Sequence, residues 1–196
     1  DAVMAIIHAI PGFDTLEYKE SHAEKMPFYR LKVRLKKEIV ALGVEGVSRL
    51  KKVGTYVEAR NWNDLISDPE VLVLDTRNDY ETVMGTFRGA VDPQTKTFGA
   101  FPEFVTTHLD PTKHKKVAMY CTGGIRCEKA SAYMLHSGFK NVFHLEGGII
   151  NYAKQVKEQG LESKFIGKNF VFDDRLGERI TSDIIARCHQ CGEPCD

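Results

Sequence analysis

The stretch Tyr120-Cys-Thr-Gly-Gly-Ile-Arg-Cys-Glu-Lys-Ala130 decides how the rest of this chain is read. It follows Val117-Ala-Met-Tyr120, a short continuous apolar run of the kind carried by a strand buried on both faces. Such a strand delivers Cys121, Gly123 and Gly124 permit a tight turn, and a helix is expected to begin near Arg126. Successive N–H groups in a turn of this kind form an anion-binding nest. The helix N-terminus adds its partial positive charge. A thiol placed there is expected to titrate at about 3.5–7.5. Cys121 is then a thiolate nucleophile, Thr122, Gly123, Gly124 and Ile125 form its cradle, and Arg126 is expected to clamp an anionic group on substrate or intermediate. The bland alternative is a structural cysteine beside a chance Gly-Gly pair. The succession of strand, cysteine, glycines, arginine and helix argues against it.

The length of the loop narrows the chemistry. Four residues separate Cys121 from Arg126. Cysteine phosphatases place one residue more in that interval and so wrap a phosphoryl group. The tighter cradle suits a terminal sulfur or another small adduct on the cysteine, and it disfavours phosphate ester hydrolysis.

Outward from the loop, Val71-Leu-Val-Leu74 is a second apolar run, ending at Asp75, and Val142 to Leu145 makes a third. Helical patterns over residues 62–66, 80–84, 102–109, 128–136 and 149–156 alternate with these runs. Apolar strands alternating with helices predict an α/β fold with a parallel sheet covered on both faces. Functional groups in such sheets gather past the carboxyl ends of the strands, where Asp75 and Cys121 both stand. This unit is assigned to residues 53–160.

Residues 1–52 read as a partial α+β domain, the back portion of one whose opening strand is missing. A helix is expected over residues 2–9, stopping before Pro11, with a short strand at Leu16 and Tyr18. A second strand is expected where Leu31, Val33 and Leu35 alternate with Lys32, Arg34 and Lys36. Residues 161–196 hold an expected strand over 165–172, a polar turn at Asp173-Asp-Arg-Leu-Gly177 and a cysteine cluster.

Composition is that of ordinary globular material, with 27 basic and 27 acidic residues in 196. The balance argues neither for nor against nucleic acid. Between Thr112 and Lys140, however, six Lys or Arg stand against one Glu, an imbalance expected to draw anions toward Cys121. No stretch approaches the roughly 20 apolar residues of a membrane span. The apolar opening, Ala2 to Ile10, lacks a basic leader and a cleavage pattern. A cytoplasmic protein is expected. The five cysteines, at 121, 127, 188, 191 and 195, are an odd count that fits reactive or metal-binding thiols in a reducing compartment.

Four motifs together resemble the rhodanese family: the cysteine loop, Asp75-Thr-Arg-Asn-Asp-Tyr-Glu81, Gly85-Thr-Phe-Arg-Gly-Ala90 with Pro93, and Leu145-Glu-Gly-Gly-Ile149. In that family the loop cysteine carries a persulfide. A more extensive resemblance adds Lys32-Val-Arg-Leu-Lys-Lys-Glu-Ile39 and Cys188-His-Gln-Cys-Gly-Glu-Pro-Cys195. With these the chain is similar to bacterial tRNA uridine hydroxylases, which place an acylphosphatase-like (ferredoxin-like) domain first, a rhodanese domain second and a cysteine-rich tail last. The resemblance implies oxygen-dependent formation of 5-hydroxyuridine at the wobble position of tRNA, with molecular oxygen as co-substrate and tRNA as partner. The alternatives are a persulfide sulfurtransferase using the same residues, and a binding module that no longer turns over.

The remaining candidates each carry two readings. Cys127 either resolves an oxidised or persulfidated Cys121 or packs the first helical turn. Asp75 and Arg77 are expected to support the loop through charged hydrogen bonds, with helix capping as the other role for Asp75. Lys32, Arg34, Lys36 and Lys37 either touch RNA phosphates or keep a strand edge from aggregating. Cys188, Cys191 and Cys195 form a candidate partial zinc site, three thiolates where structural zinc takes four ligands. His189 is poorly spaced to be the fourth, which is expected beyond Asp196. The site is therefore expected to be incomplete.

Overall fold

A computed structural model describes residues 2–16, 18, 23–30, 32–47, 52–188 and 190–195. The sequence readings at Asp1, Leu31, His189 and Asp196 lie outside the described residues. The chain divides into two compact units, residues 1–32 and 33–196.

The first unit contains one helix, α1 (Ala2–His8), and no strand among its described residues. The helix ends where expected, three residues before Pro11. The strand expected at Leu16 and Tyr18 is absent. So is the one expected around residue 33: residues 32–36, which cross into the second unit, are irregular and exposed. Alternation alone does not make a strand. It needs a neighbouring ladder and a buried face, and Val33 and Leu35 are 85% and 102% exposed.

The second unit is the predicted α/β layer structure. Its order is β1 (Thr55–Val57), α2 (Ala59–Leu65), β2 (Val71–Asp75), α3 (Asp79–Thr82), β3 (Gly85–Phe87), α4 (Phe101–His108), β4 (Lys116–Tyr120), α5 (Ile125–His136), β5 (Asn141–Leu145), α6 (Gly148–Gln159), β6 (Phe165–Phe170) and β7 (Gly177–Arg179). Four strands form a parallel sheet in the order β1-β5-β4-β2, and β3, β6 and β7 form a small antiparallel sheet.

The apolar runs explain the layering. Along β4, Val117 and Met119 face one core, with Leu74, Phe101, Val105 and Met134, while Ala118 and Tyr120 face the other, with Trp62, Phe87, Ile149 and Tyr152. A strand that buries both faces has no polar side to alternate with. Residues 38–47, read from sequence as part of the first segment, belong to the second unit. Leu42 is buried in its core. Lys129 of α5 reaches across to this segment, donating to Glu38 Oε1 at 2.7 Å and to the carbonyls of Ile39 and Val40 at 2.5 and 2.9 Å.

Candidate active site

Strand β4 ends at Tyr120, and Cys121 follows at the carboxyl edge of the sheet, as the sequence predicts. The turn closes through Gly124, which has a φ of +87°, a left-handed value that glycine adopts without strain. Helix α5 then starts at Ile125. The loop is held from below by the Gly-Gly that opens α6. The N–H groups of Ile149 and Ile150 donate to the carbonyls of Cys121 and Thr122 at 3.0 and 3.1 Å. Gly148, at φ +67°, has no room for a side chain. A Cβ there would lie 2.5 Å from the Cys121 carbonyl oxygen and 2.6 Å from the Gly124 nitrogen. The Leu145-Glu-Gly-Gly-Ile149 motif thus acts as the floor of the cysteine loop.

Cys121 itself is buried, and its Sγ accepts the Gly124 N–H at 3.1 Å. Burial alone would push a thiol up. A hydrogen bond from the Cys127 thiol, the positive charge of Arg126, and the N–H groups of Cys127 and Gly124 outweigh it, bringing Cys121 from 9.0 down to about 6. Cys127 moves the other way: burial, together with the hydrogen bond to and charge on Cys121, raises it well above the ordinary value. Its sulfur also lies 3.5 Å from Thr76 Oγ1. One thiol of the pair is therefore held as thiolate and the other as its protonated neighbour. Around them, Thr122 and Gly124 are buried, Gly123 is half-buried and Ile125 is 47% exposed, so the loop opens to solvent at Gly123 and Ile125.

Arg126 is engaged by neighbouring side chains. Its Nη1 donates to Glu81 Oε2 at 2.5 Å, and its Nη2 donates to Glu81 Oε1 at 2.7 Å and to Thr122 Oγ1 at 3.2 Å. Arg126 also acts on Cys121 through its charge. Glu81 was not singled out from sequence. It is fully buried, takes both guanidinium nitrogens, accepts from Thr122 Oγ1 at 3.1 Å and accepts the Asn78 N–H at 3.1 Å at the start of α3. The signal was available in Asp75-Thr-Arg-Asn-Asp-Tyr-Glu81, whose last residue is a carboxylate that nothing else in the sequence explains.

Asp75 and Arg77 form a second buried pair. Asp75 accepts from Arg77 Nε at 3.0 Å and from Nη2 at 2.7 Å, and Arg77 Nη2 also donates to the Gly85 carbonyl at 2.6 Å. Burial works against the charge on Arg77, and Asp75 more than offsets it, so the guanidinium stays protonated. The pair ties the end of β2 to β3. The capping position ahead of α3 is Asn78, not Asp75.

Of the six basic residues over 112–140, Arg126 acts on Cys121 through its charge, and most of the others are paired or lie elsewhere. Lys116 is paired with Asp68 and Glu70, Arg126 with Glu81 and Lys129 with Glu38. Lys115 and Lys140 stand at the amino ends of β4 and β5, the opposite edge of the sheet from Cys121. Clustering along the chain was not clustering in space. Lys32, Arg34, Lys36 and Lys37 are exposed.

In the tail, the N–H of Gly192 donates to the Cys188 carbonyl at 2.9 Å, and the N–H of Cys195 donates to the Ala186 carbonyl at 3.0 Å. The N–H groups of Cys191 and Gln190, with the nearby Cys191 and Cys195 thiols, lower the Cys188 thiol. Yet among the described residues no group of three His, Cys, Asp or Glu side chains is arranged to hold a metal ion. No helix among the described residues is long and apolar enough to cross a membrane.

Three family models match the chain. The rhodanese-like domain matches residues 58–155, a rhodanase C-terminal region matches 166–196, and the UPF0176 acylphosphatase-like domain matches 1–39. Among solved structures, the chain is similar to a protein of unknown function from Rhodopseudomonas palustris, described as a possible tyrosine phosphatase. Identity is 21%, TM-score 0.45, and the match covers 58% of this chain and 86% of that one. It is also similar to a rhodanese-related protein from Thermoplasma volcanium, at 21% identity and TM-score 0.41, over 57% and 97% of the two chains. A rhodanese-like domain from Anabaena sp. matches at 18% identity and TM-score 0.44, over 57% and 78%. With its rhodanese domain spanning half its length, an acylphosphatase-like segment before it and a rhodanase C-terminal region after it, the chain belongs to the rhodanese-like family and has the UPF0176 architecture.

Proposed function

We propose that this chain catalyses the oxygen-dependent hydroxylation of wobble uridine in tRNA to 5-hydroxyuridine, with Cys121 as the reacting thiolate. The observation that carries the reading is Cys121 at the end of β4, its Sγ accepting the Gly124 N–H at 3.1 Å, with Cys127 and Arg126 lowering its thiol. At neutral pH it is a nucleophile without needing a separate base. Addition of the thiolate to C6 of uracil places an electron pair at C5, where an oxygen species is captured. Loss of the C5 proton and departure of the thiolate restore the ring. Overall, uridine, O2, two electrons and two protons give 5-hydroxyuridine and water, so a thiol reductant belongs in the reaction. The exposed Lys32, Arg34, Lys36 and Lys37 are proposed contacts to tRNA phosphates. A tRNA substrate would place the protein in the cytoplasm.

One observation favours a second reading, persulfide sulfurtransfer. Cys121 is only 1% exposed, and a persulfide would carry its outer sulfur farther toward the loop opening than the thiolate itself reaches. Incubation of the purified chain with tRNA, a thiol reductant and isotopically heavy O2 tests the first reading. Heavy oxygen recovered in 5-hydroxyuridine supports it. Thiocyanate formation from thiosulfate and cyanide, with no change in the tRNA, would make the second reading the better one.

A further inference from the structure

An aromatic chain stands on the rim of the cysteine loop, and no step above uses it. Phe172, just past β6, lies over the Arg126 guanidinium at 5.7 Å from its central carbon. Phe170 meets Phe172 edge-to-face at 5.1 Å and 78°, and Tyr80 of α3 meets Phe170 at 5.3 Å and 77°. Glu81, next to Tyr80, fixes the same guanidinium through two hydrogen bonds. The arginine that lowers the Cys121 thiol is thus gripped by a carboxylate and covered by a ring.

The outer parts of this chain are open. Phe172 is 58% exposed and Tyr80 is 45% exposed. Phe172 thus touches Arg126 and Phe170 while more than half of it stays open to solvent. Edge-to-face contacts among Phe172, Phe170 and Tyr80 hold the rings in place. Two of the three rings come from the C-terminal region and one from the rhodanese domain, so the platform exists only where the two meet.

We propose that Phe172, supported by Phe170 and Tyr80, is a stacking platform for a pyrimidine base of single-stranded RNA brought to the Cys121 loop. The inference rests on the tRNA reading above and adds to it a positioning residue. A base has to leave its neighbours to reach a buried thiol, and an aromatic face replaces the stacking it loses. Arg126 is already engaged by Glu81 and Thr122. Flat aromatic surface is therefore what the rim offers a nucleotide.

The test uses the full chain and an anticodon stem-loop RNA with uridine at the wobble position, measuring binding and hydroxylation. Phe172→Ala is expected to weaken binding and kcat/KM by about 10-fold to 100-fold, the loss of one base–aromatic stack. Phe172→Leu keeps apolar bulk but not the π face, and is expected to be nearly as weak. Phe172→Trp is expected to restore binding, and thermal melting confirms that each variant is folded. If the wild type binds the RNA and Phe172→Ala binds it equally, the platform is wrong and the tRNA reading stands. If Phe172→Leu matches the wild type, the rim is an apolar contact, as for a protein partner, and the stacking proposal fails. If the wild type neither binds nor modifies the RNA, the tRNA reading fails and takes this proposal with it.

Discussion

Glu81 and Arg126 form a two-pronged ion pair, 2.5 and 2.7 Å long, with the carboxylate fully buried and the guanidinium nearly so. The pair joins α3 to the first turn of α5, and so couples the segment after β2 to the cysteine loop. Removing one member of a buried pair leaves the other charge uncompensated, which costs about 3–5 kcal/mol. Glu81→Gln is therefore expected to lower unfolding stability by about that amount. Chemical denaturation of the variant checks this, and a loss below about 1 kcal/mol would mean that water reaches the pair.

Arg126 has a separate electrostatic role. Its charge is one of the influences that bring Cys121 down to about 6. The rate of alkylation of Cys121 by iodoacetamide should rise with pH to a plateau with its midpoint at about 6. In Arg126→Met the midpoint should move up toward the ordinary thiol value, because the positive charge is gone while burial stays. An unchanged midpoint would assign the shift to Cys127 and the backbone amides alone.

The floor of the loop is tested at Gly148. Its φ of +67° disfavours any side chain, and a Cβ would press on the Cys121 carbonyl and the Gly124 nitrogen. Gly148→Ala is expected to cost at least about 1–3 kcal/mol in backbone strain, and to slow Cys121 alkylation at pH 7 by displacing the Gly124 N–H. Gly160→Ala is the contrast, a positive-φ glycine with nothing nearby. It should lower stability without affecting the thiol.

Lys129 pins residues 38–40 to α5. The hydrogen bond from Lys129, with the Leu42 and Gly43 N–H groups, holds the Glu38 carboxyl at about 2 instead of 4.5. The sign follows from the lowered value: the contribution is fully present above about 4.5 and is lost as pH falls toward about 2. Lys129→Ala should expose residues 38–43 to limited proteolysis at neutral pH. In the wild type the same cleavage should appear only in strong acid, which an acid-active protease can read out.

Much of this was legible in sequence wherever the relevant residues are consecutive. The cysteine loop, the apolar runs of β2, β4 and β5 and the Gly-Gly floor are each contained in a few adjacent positions. Glu81 and Arg126 are 45 residues apart, and only the fold brings them together. Lys129 reads as an ordinary helix-surface lysine until Glu38, 91 residues away, is seen beside it. Strands β1, β3 and β7 have three residues each, too few for a period to register. The alternation at residues 31–36 misled for the opposite reason, since a pattern without a partner strand has nothing to bury.

The account turns on Cys121 acting on tRNA, and nucleoside mass spectrometry on cells lacking the gene tests that most directly. Wild type and Cys121→Ser are each returned to such cells, and 5-hydroxyuridine in total tRNA is measured. The account predicts that wild type restores the nucleoside and Cys121→Ser does not. Restoration by both would contradict the role given to Cys121, and restoration by neither would contradict the tRNA reaction itself.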